Sequence, residues 1–481
     1  QEVEQMNLFK DMVCYQEEVR DPSRMAEVLN RVIEKAFRGS APAQINVPRD
    51  YWTQVIDIEL PPIVRFERQG GGKEAIENAA KLLSKAKFPV ILSGAGVVLG
   101  GAIDECKKLA EKLDAPVCNG YQHNDSFPGS HPLAVGPLGY NGSKAAMELI
   151  SKADVVLALG TRLNPFSTLP GYGIDYWPKK ATIIQVDMNP DRIGLTKKVS
   201  VGICGDAKQV AQQILDKLSS DAGNTGREER KNLIHKTKSA WLQTLSGLDH
   251  EEDDPGTVWN KEARERDKDR MSPRQAWRAI QDALPQDAII SSDIGNNCAI
   301  GNAYPTFEKP RKYLAPGLFG PCGYGFPAIL GAKIGCPDTP VVGFAGDGAF
   351  GISMNEMSSC AREEWPAITM VIFRNYQWGA EKRNSILWFD DNFVGTELDP
   401  ELSYAKVANA CGLKGVTCKT MEETTKAIKQ SCEDQKKGIT TFIEIILNQE
   451  LGEPFRRDAM KKPVEVAGIN KSDMKPQKSL I

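Results

Sequence analysis

Residues 339–375 read TPVVGFAGDGAFGISMNEMSSCAREEWPAITMVIFRN. Two runs in it, TPVVGFAG and ITMVIF, are short and apolar without alternation, the pattern of strands buried on both faces of a parallel sheet. Between them stand Gly346-Asp347-Gly348 and a helix predicted around Asn355 to Glu363. In an open parallel sheet ligands collect at the carboxyl ends of the strands. Asp347 ends the first strand and Asn375 ends the next, 28 positions later, so the two are expected side by side. A carboxylate, a carboxamide and a backbone carbonyl are hard oxygen ligands, suited to a magnesium ion that keeps water and bridges a diphosphate. Glycines let the backbone approach phosphate oxygens, and a helix start adds aimed N–H groups. A lone Gly-Asp-Gly is more often a plain strand-to-helix turn. The asparagine at the end of the following strand makes this one specific.

The same strand–helix alternation extends in both directions. Over 271–450 further strands are read in DAIISSDIG, KYLAP and TFIEIILN, opened by a helix start with Ser272 as N-cap, Pro273 in the first turn and Gln275 closing a capping box. Over 71–220 the strands are PVILSGAGV, APVCNG, DVVLALGTR and TIIQVDMNP, separated by helices such as EAIENAAKLLSKA and AIDECKKLAEKL. The fold class is therefore α/β, with two doubly wound parallel-sheet domains. Residues 1–56 show one amphipathic helix in PSRMAEVLNRVIEKAFRG and one strand in AQINVP, too little for a domain; 57–70 suit a linker. The charged stretch 221–270 reads as a solvated helix plus an exposed connector, and 451–481 as a Lys- and Pro-rich tail.

Composition excludes several classes. With 481 residues and 41% hydrophobic content the chain can bury more than one core. A net charge of −3 argues against a nucleic-acid binder or a basic membrane-surface protein. No apolar run approaches the roughly 18–20 residues that span a bilayer. Eleven scattered cysteines without a CxxC pair suit reduced thiols in a cytoplasm. The four histidines, His123, His131, His235 and His250, lie outside the third unit and share no metal-ligand spacing. Ser93-Gly94-Ala95-Gly96 through Gly100 departs from the dinucleotide fingerprint GxGxxG, so a bound flavin is not expected.

The string from Gly346 to Asn375 resembles the thiamine-diphosphate motif of the acetolactate synthase and pyruvate oxidase group, and the likeness covers nearly the whole chain. It implies that 1–56 is the end of a pyrimidine-binding domain, 71–220 a central domain and 271–450 a diphosphate- and metal-binding domain. It implies that Asp347, Asn375 and the main-chain carbonyl of Gln377 hold Mg2+, and that Gly346, Gly348 and Ala349 meet the diphosphate of thiamine diphosphate. Asn296 and Asn297, after Asp293-Ile294-Gly295, would also face the diphosphate, or else cap the next helix. Gly320-Pro321-Cys322-Gly323 resembles the loop that grips the aminopyrimidine; Cys322 stands where the group has a bulky aliphatic residue, so which side chain bends the cofactor stays open.

Glu381, Lys382, Arg383 and Asn384 follow the metal loop where acetolactate synthases carry apolar residues. Cations there would suit a sulfonate and a phosphate, against the alternative of a solvated helix face. The strings NYQWGAEKRNSILWFDDNFVGTELD and EPFRRDAMKKPV resemble the branch that converts sulfoacetaldehyde and phosphate to acetyl phosphate and sulfite. An acetolactate-synthase-like carboligase and a non-catalytic cofactor-fold subunit are the other readings. The resemblance also implies a homodimer or homotetramer with the active site at the subunit interface. In the group a glutamate of the pyrimidine-binding domain activates the cofactor, and Glu17 and Glu18 fall too late in the pattern to be it. The expectation is a piece of a longer enzyme that has about a hundred more leading residues, the size of a domain.

Overall fold

The computed structural model describes residues 2–62, 67–248, 267–317, 319–362, 364–388 and 392–450. The chain divides into a unit over Gln1–Arg68 and a larger one from Gln69 onward.

In the first unit, β1 (Tyr15–Glu18) and β2 (Ala43–Asn46) pair in parallel around the helix Met25–Gly39. The sequence shows the helix and the second strand; the first, Tyr-Gln-Glu-Glu, carries no apolar run and was not expected. Val28 and Val32 of the helix pack with Val19 beneath the pair.

The larger unit holds two parallel sheets. The first comprises β3 (Pro89–Ser93), β4 (Val117–Asn119), β5 (Ala134–Pro137), β6 (Val155–Leu159), β7 (Thr182–Asp187) and β8 (Val201–Cys204), in the order β5-β4-β3-β6-β7-β8. This is a doubly wound sheet whose strand order reverses between β3 and β6. There Gly94 and Gly96 serve close packing: a Cβ on Gly96 would lie 2.6 Å from the Gly160 Cα, and Gly96 N–H donates to the Gly160 carbonyl at 2.8 Å. The run GAGV, expected as the end of a strand, begins the helix Ala95–Gly100 instead.

The second sheet comprises β9 (Ile289–Ser292), β10 (Tyr313–Leu314), β11 (Val341–Gly346), β12 (Thr369–Arg374), β13 (Lys414–Cys418) and β14 (Thr441–Ile446), ordered β10-β9-β11-β12-β14-β13. The capping box at Ser272 and Gln275 is formed and starts the helix Pro273–Ala283. Trp277 of that helix lies against Phe344 of β11 and Phe373 of β12, at ring separations of 4.8 and 5.3 Å. Phe326, Phe350 and Phe442 fill the opposite face.

The charged stretch is more than a solvated helix. Within Arg227–Leu248, Ile234 joins the core of the first sheet, while Trp241 and Leu245 join that of the second. Arg230 is buried and spends its five N–H donors on the carbonyls of Lys87, Leu113, Asp114, Gly223 and Thr225. The rest of the expected connector, 249–266, and the tail 451–481 lie outside the described residues.

Candidate active site

The sheet register places the site. β11 and β12 pair with Gly346 opposite Phe373, so the next residues along, Asp347 and Arg374, meet at the carboxyl edge. The helix starts at Asp347 itself and runs to Ser353, eight residues earlier than the expected Asn355. The reason is local: the Asp347 carboxylate folds back, its Oδ1 accepting from Gly348 N–H at 2.9 Å and its Oδ2 from Tyr376 N–H at 2.8 Å. Arg374 Nη1 donates to the same Oδ2 at 3.0 Å. Burial pushes the Asp347 carboxyl up to about 6, while Arg374 and the two backbone donors oppose that shift.

A cleft of about 120 Å³ opens at the ends of β9, β11 and β12. It brings together Asn296, Asn297, Cys322, Gly346, Asp347, Gly348, Ala349, Asn375, Gln377 and Glu381. These residues come from four separated segments of the sequence, and all were singled out there. Gly320 does not line the cleft.

The alternative reading, that the asparagines cap the next helix, is not met. Gly295, at φ +139°, is the N-cap of Asn296–Ile300, and both asparagines lie inside the first turn. Trp277 Nε1 donates to the Asn297 carbonyl at 2.7 Å, which fixes that turn to the core, while the buried Asn297 Oδ1 has no hydrogen-bond partner among the described residues. Asp293, quoted in the sequence without a role, is the latch of the facing loop. Its carboxylate accepts from Gly323 N–H at 3.1 Å and Gly325 N–H at 2.7 Å, carrying Cys322 to the cleft.

The loop after β12 is held by a short antiparallel pairing. Trp378 N–H donates to the Thr396 carbonyl at 2.8 Å and Leu398 N–H to the Tyr376 carbonyl at 2.9 Å. Gln377 and Glu397 between them form the non-hydrogen-bonded pair, so the backbone groups of Gln377 point away from that strand. The donor set therefore fits a hard cation. It has one carboxylate that keeps an acceptor site on Oδ1 beside the Gly348 N–H, the Asn375 carboxamide and a carbonyl unclaimed by its pairing strand. Gly346 leaves open space where a Cβ would stand, and the Gln377 Oε1 is buried with no partner among the described residues.

Lys382 is a correction to the sequence reading. Its side chain is fully buried, paired with Glu397 and bonded to Gln449 Oε1 at 3.3 Å, and it does not line the cleft. A buried ammonium needs a carboxylate partner, and Glu397 supplies it on the far side of the loop. The side chains of Arg383 and Asn384 lie outside what is described. Sequence reasoning also missed Arg374 and Tyr376. The available signal was an arginine at the end of an apolar strand: β12 lies between β11 and β14 and is buried throughout, so a charge on it demands a partner.

The two parallel-sheet domains and their oxygen-donor cleft belong to a thiamine-diphosphate enzyme, the class that two family models give. The family model described as thiamine pyrophosphate enzyme, central domain, matches residues 76–214, and that described as thiamine pyrophosphate enzyme, C-terminal TPP binding domain, matches 293–445. Within that class the chain belongs to the sulfoacetaldehyde acetyltransferase family. It is 77% identical over 480 residues to a probable sulfoacetaldehyde acetyltransferase of Rhizobium meliloti (strain 1021), covering 100% of this chain and 81% of that protein. It is 76% identical over 477 residues to the sulfoacetaldehyde acetyltransferase of Roseovarius nubinhibens, covering 99% of this chain and 79% of that protein. The fold is also that of benzoylformate decarboxylase from Polynucleobacter necessarius, with a TM-score of 0.73 at 20% identity over 94% of this chain and 79% of that one.

Proposed function

We propose that this protein is a thiamine-diphosphate- and Mg2+-dependent acyltransferase that converts sulfoacetaldehyde and phosphate to acetyl phosphate and sulfite. The observation that carries the reading is the chain-wide identity to sulfoacetaldehyde acetyltransferases, joined to the cleft at the ends of β9, β11 and β12. Bound thiamine diphosphate supplies the carbanion chemistry. The chain's own residues bind and orient it. Asp347, Asn375 and the Gln377 carbonyl hold Mg2+, while Gly346, Gly348, Ala349, Asn296 and Asn297 face the diphosphate. Cys322 and Trp378 wall the mouth of the cleft, with Glu381 exposed beside them.

Lys382 is not assigned to the sulfonate, because its charge is spent on Glu397. We also propose a homodimer or homotetramer with the active site at the subunit interface, since Cys322 and Trp378 on the cleft are exposed and leave a side that a partner would wall. The eleven cysteines are unpaired, which suits a reducing cytoplasm. Among the described residues no helix is long and apolar enough to cross a membrane.

The test is sulfite release by the full-length protein with sulfoacetaldehyde, thiamine diphosphate and Mg2+, with and without phosphate. Phosphate-dependent sulfite with matching acetyl phosphate is expected. Acetolactate from pyruvate with no sulfite would overturn the substrate reading and leave the fold intact.

A further inference from the structure

Tyr376 stands between the two loop residues assigned to the metal, and its φ is +60°. A bulky aromatic residue rarely occupies this left-handed region, so the surroundings must impose it. Four contacts do so. Its N–H donates to Asp347 Oδ2 and its carbonyl accepts from Leu398 N–H. Its ring lies 4.2 Å from the Arg374 guanidinium carbon and 4.6 Å from that of Arg270. Both arginines are themselves anchored, Arg374 on Asp347 and the Leu402 carbonyl, Arg270 on Asp267 at 2.7 Å. The outcome is visible in what lines each cavity. Asn375 and Gln377 face the cofactor cleft, whereas the Tyr376 ring faces a separate hollow behind it, beside Arg270 and Glu444.

We propose that Tyr376 is a positioning residue whose ring, held by Arg374 and Arg270, maintains the kink that turns Asn375 and the Gln377 carbonyl toward Asp347. An extended residue here would send its two neighbours along the strand direction instead of across the sheet edge. The inference rests on the metal reading given above. It assigns to Arg270, outside the cleft, an influence on metal affinity through the ring.

The experiment is Mg2+-dependent binding of thiamine diphosphate to the full-length protein, followed by calorimetry, with the melting temperature of each cofactor-free variant recorded alongside. Tyr376→Gly, which adopts φ +60° freely but has no ring to hold, should bind at least tenfold more weakly, or about 1.4 kcal/mol. Arg270→Gln should weaken binding at least threefold without lowering the melting temperature of the cofactor-free protein. Tyr376→Phe, which keeps the ring, should stay within twofold of the parent. If Tyr376→Gly fails to fold, Arg270→Gln decides. Parent-like affinity in Arg270→Gln and Tyr376→Gly, with binding lost in Asp347→Ala, would overturn this proposal alone. A loss in Tyr376→Phe as large as in Tyr376→Gly would also overturn it. Retained binding in Asp347→Ala would overturn the metal reading, and this proposal with it.

Discussion

Arg374 Nη1 lies 3.0 Å from Asp347 Oδ2, and both side chains are buried. Glu444 approaches the other side of the same guanidinium, 3.9 Å from its Nε, and itself accepts from Ser403 Oγ and Tyr404 N–H. Tyr404 closes the ring by donating its hydroxyl to the Asp347 carbonyl at 3.0 Å. The carboxylate assigned to the metal is thus anchored from behind by a cation in the adjacent strand.

Removing one partner of such a pair leaves an uncompensated buried charge, a loss of about 3–5 kcal/mol. Arg374→Leu should therefore lower the melting temperature of the cofactor-free protein by several degrees. The double variant with Asp347→Asn should recover part of the loss, because one of the two carboxylates facing position 374 is then neutral. An unchanged melting temperature in Arg374→Leu would contradict the anchoring role.

Gly346 separates folding from binding. A methyl group there meets nothing within 4 Å, and its φ of −69° suits any residue. Gly346→Ala should fold with its melting temperature unchanged, yet bind thiamine diphosphate at least tenfold more weakly, since the methyl enters the space assigned to the diphosphate. Unchanged affinity, read by calorimetry, would place the diphosphate elsewhere.

His123 gives the first sheet a pH signature. Burial, with a smaller contribution from Arg162, lowers its imidazole to about 4 from the ordinary 6.5. As pH falls below about 6.5 the unfolded chain takes up a proton that the folded protein refuses until about pH 4, so stability drops across that window. The ring keeps partial exposure, so about 3 kcal/mol is the ceiling of the effect. His123→Gln should flatten the pH dependence of the melting temperature between 6.5 and 4. An equally steep curve in the variant would remove His123 as its source.

The sequence exposes what is buried on both faces. β3, β6, β7, β11, β12 and β14 are apolar runs because they lie inside their sheets. The strands it hid are edges: Ala134–Pro137, Val201–Cys204 and Lys414–Cys418 each lie at the rim of a sheet and mix polar or glycine residues with apolar ones. A similar limit applies at the site. Asp347 and Asn375 are legible because strand ends and spacing give them away. Arg374 ends an apolar run, which signals a buried charge, but its partners Asp347 and Glu444 lie 27 and 70 positions away, and the kink at Tyr376 runs against the preference of its own side chain. Lys382 shows the converse: a cation in a polar string suggests an anion-binding wall, whereas its partner Glu397 lies 15 positions further on.

The measurement that bears most directly on the account is the affinity of thiamine diphosphate for the full-length protein and its Asp347→Ala variant, titrated at fixed Mg2+ and again in its absence. The parent should bind tightly only with Mg2+, and the variant should lose that Mg2+-dependent increment entirely. An Asp347→Ala protein that still gains affinity on adding Mg2+ would contradict the assignment of Asp347, Asn375 and Gln377 as the metal site.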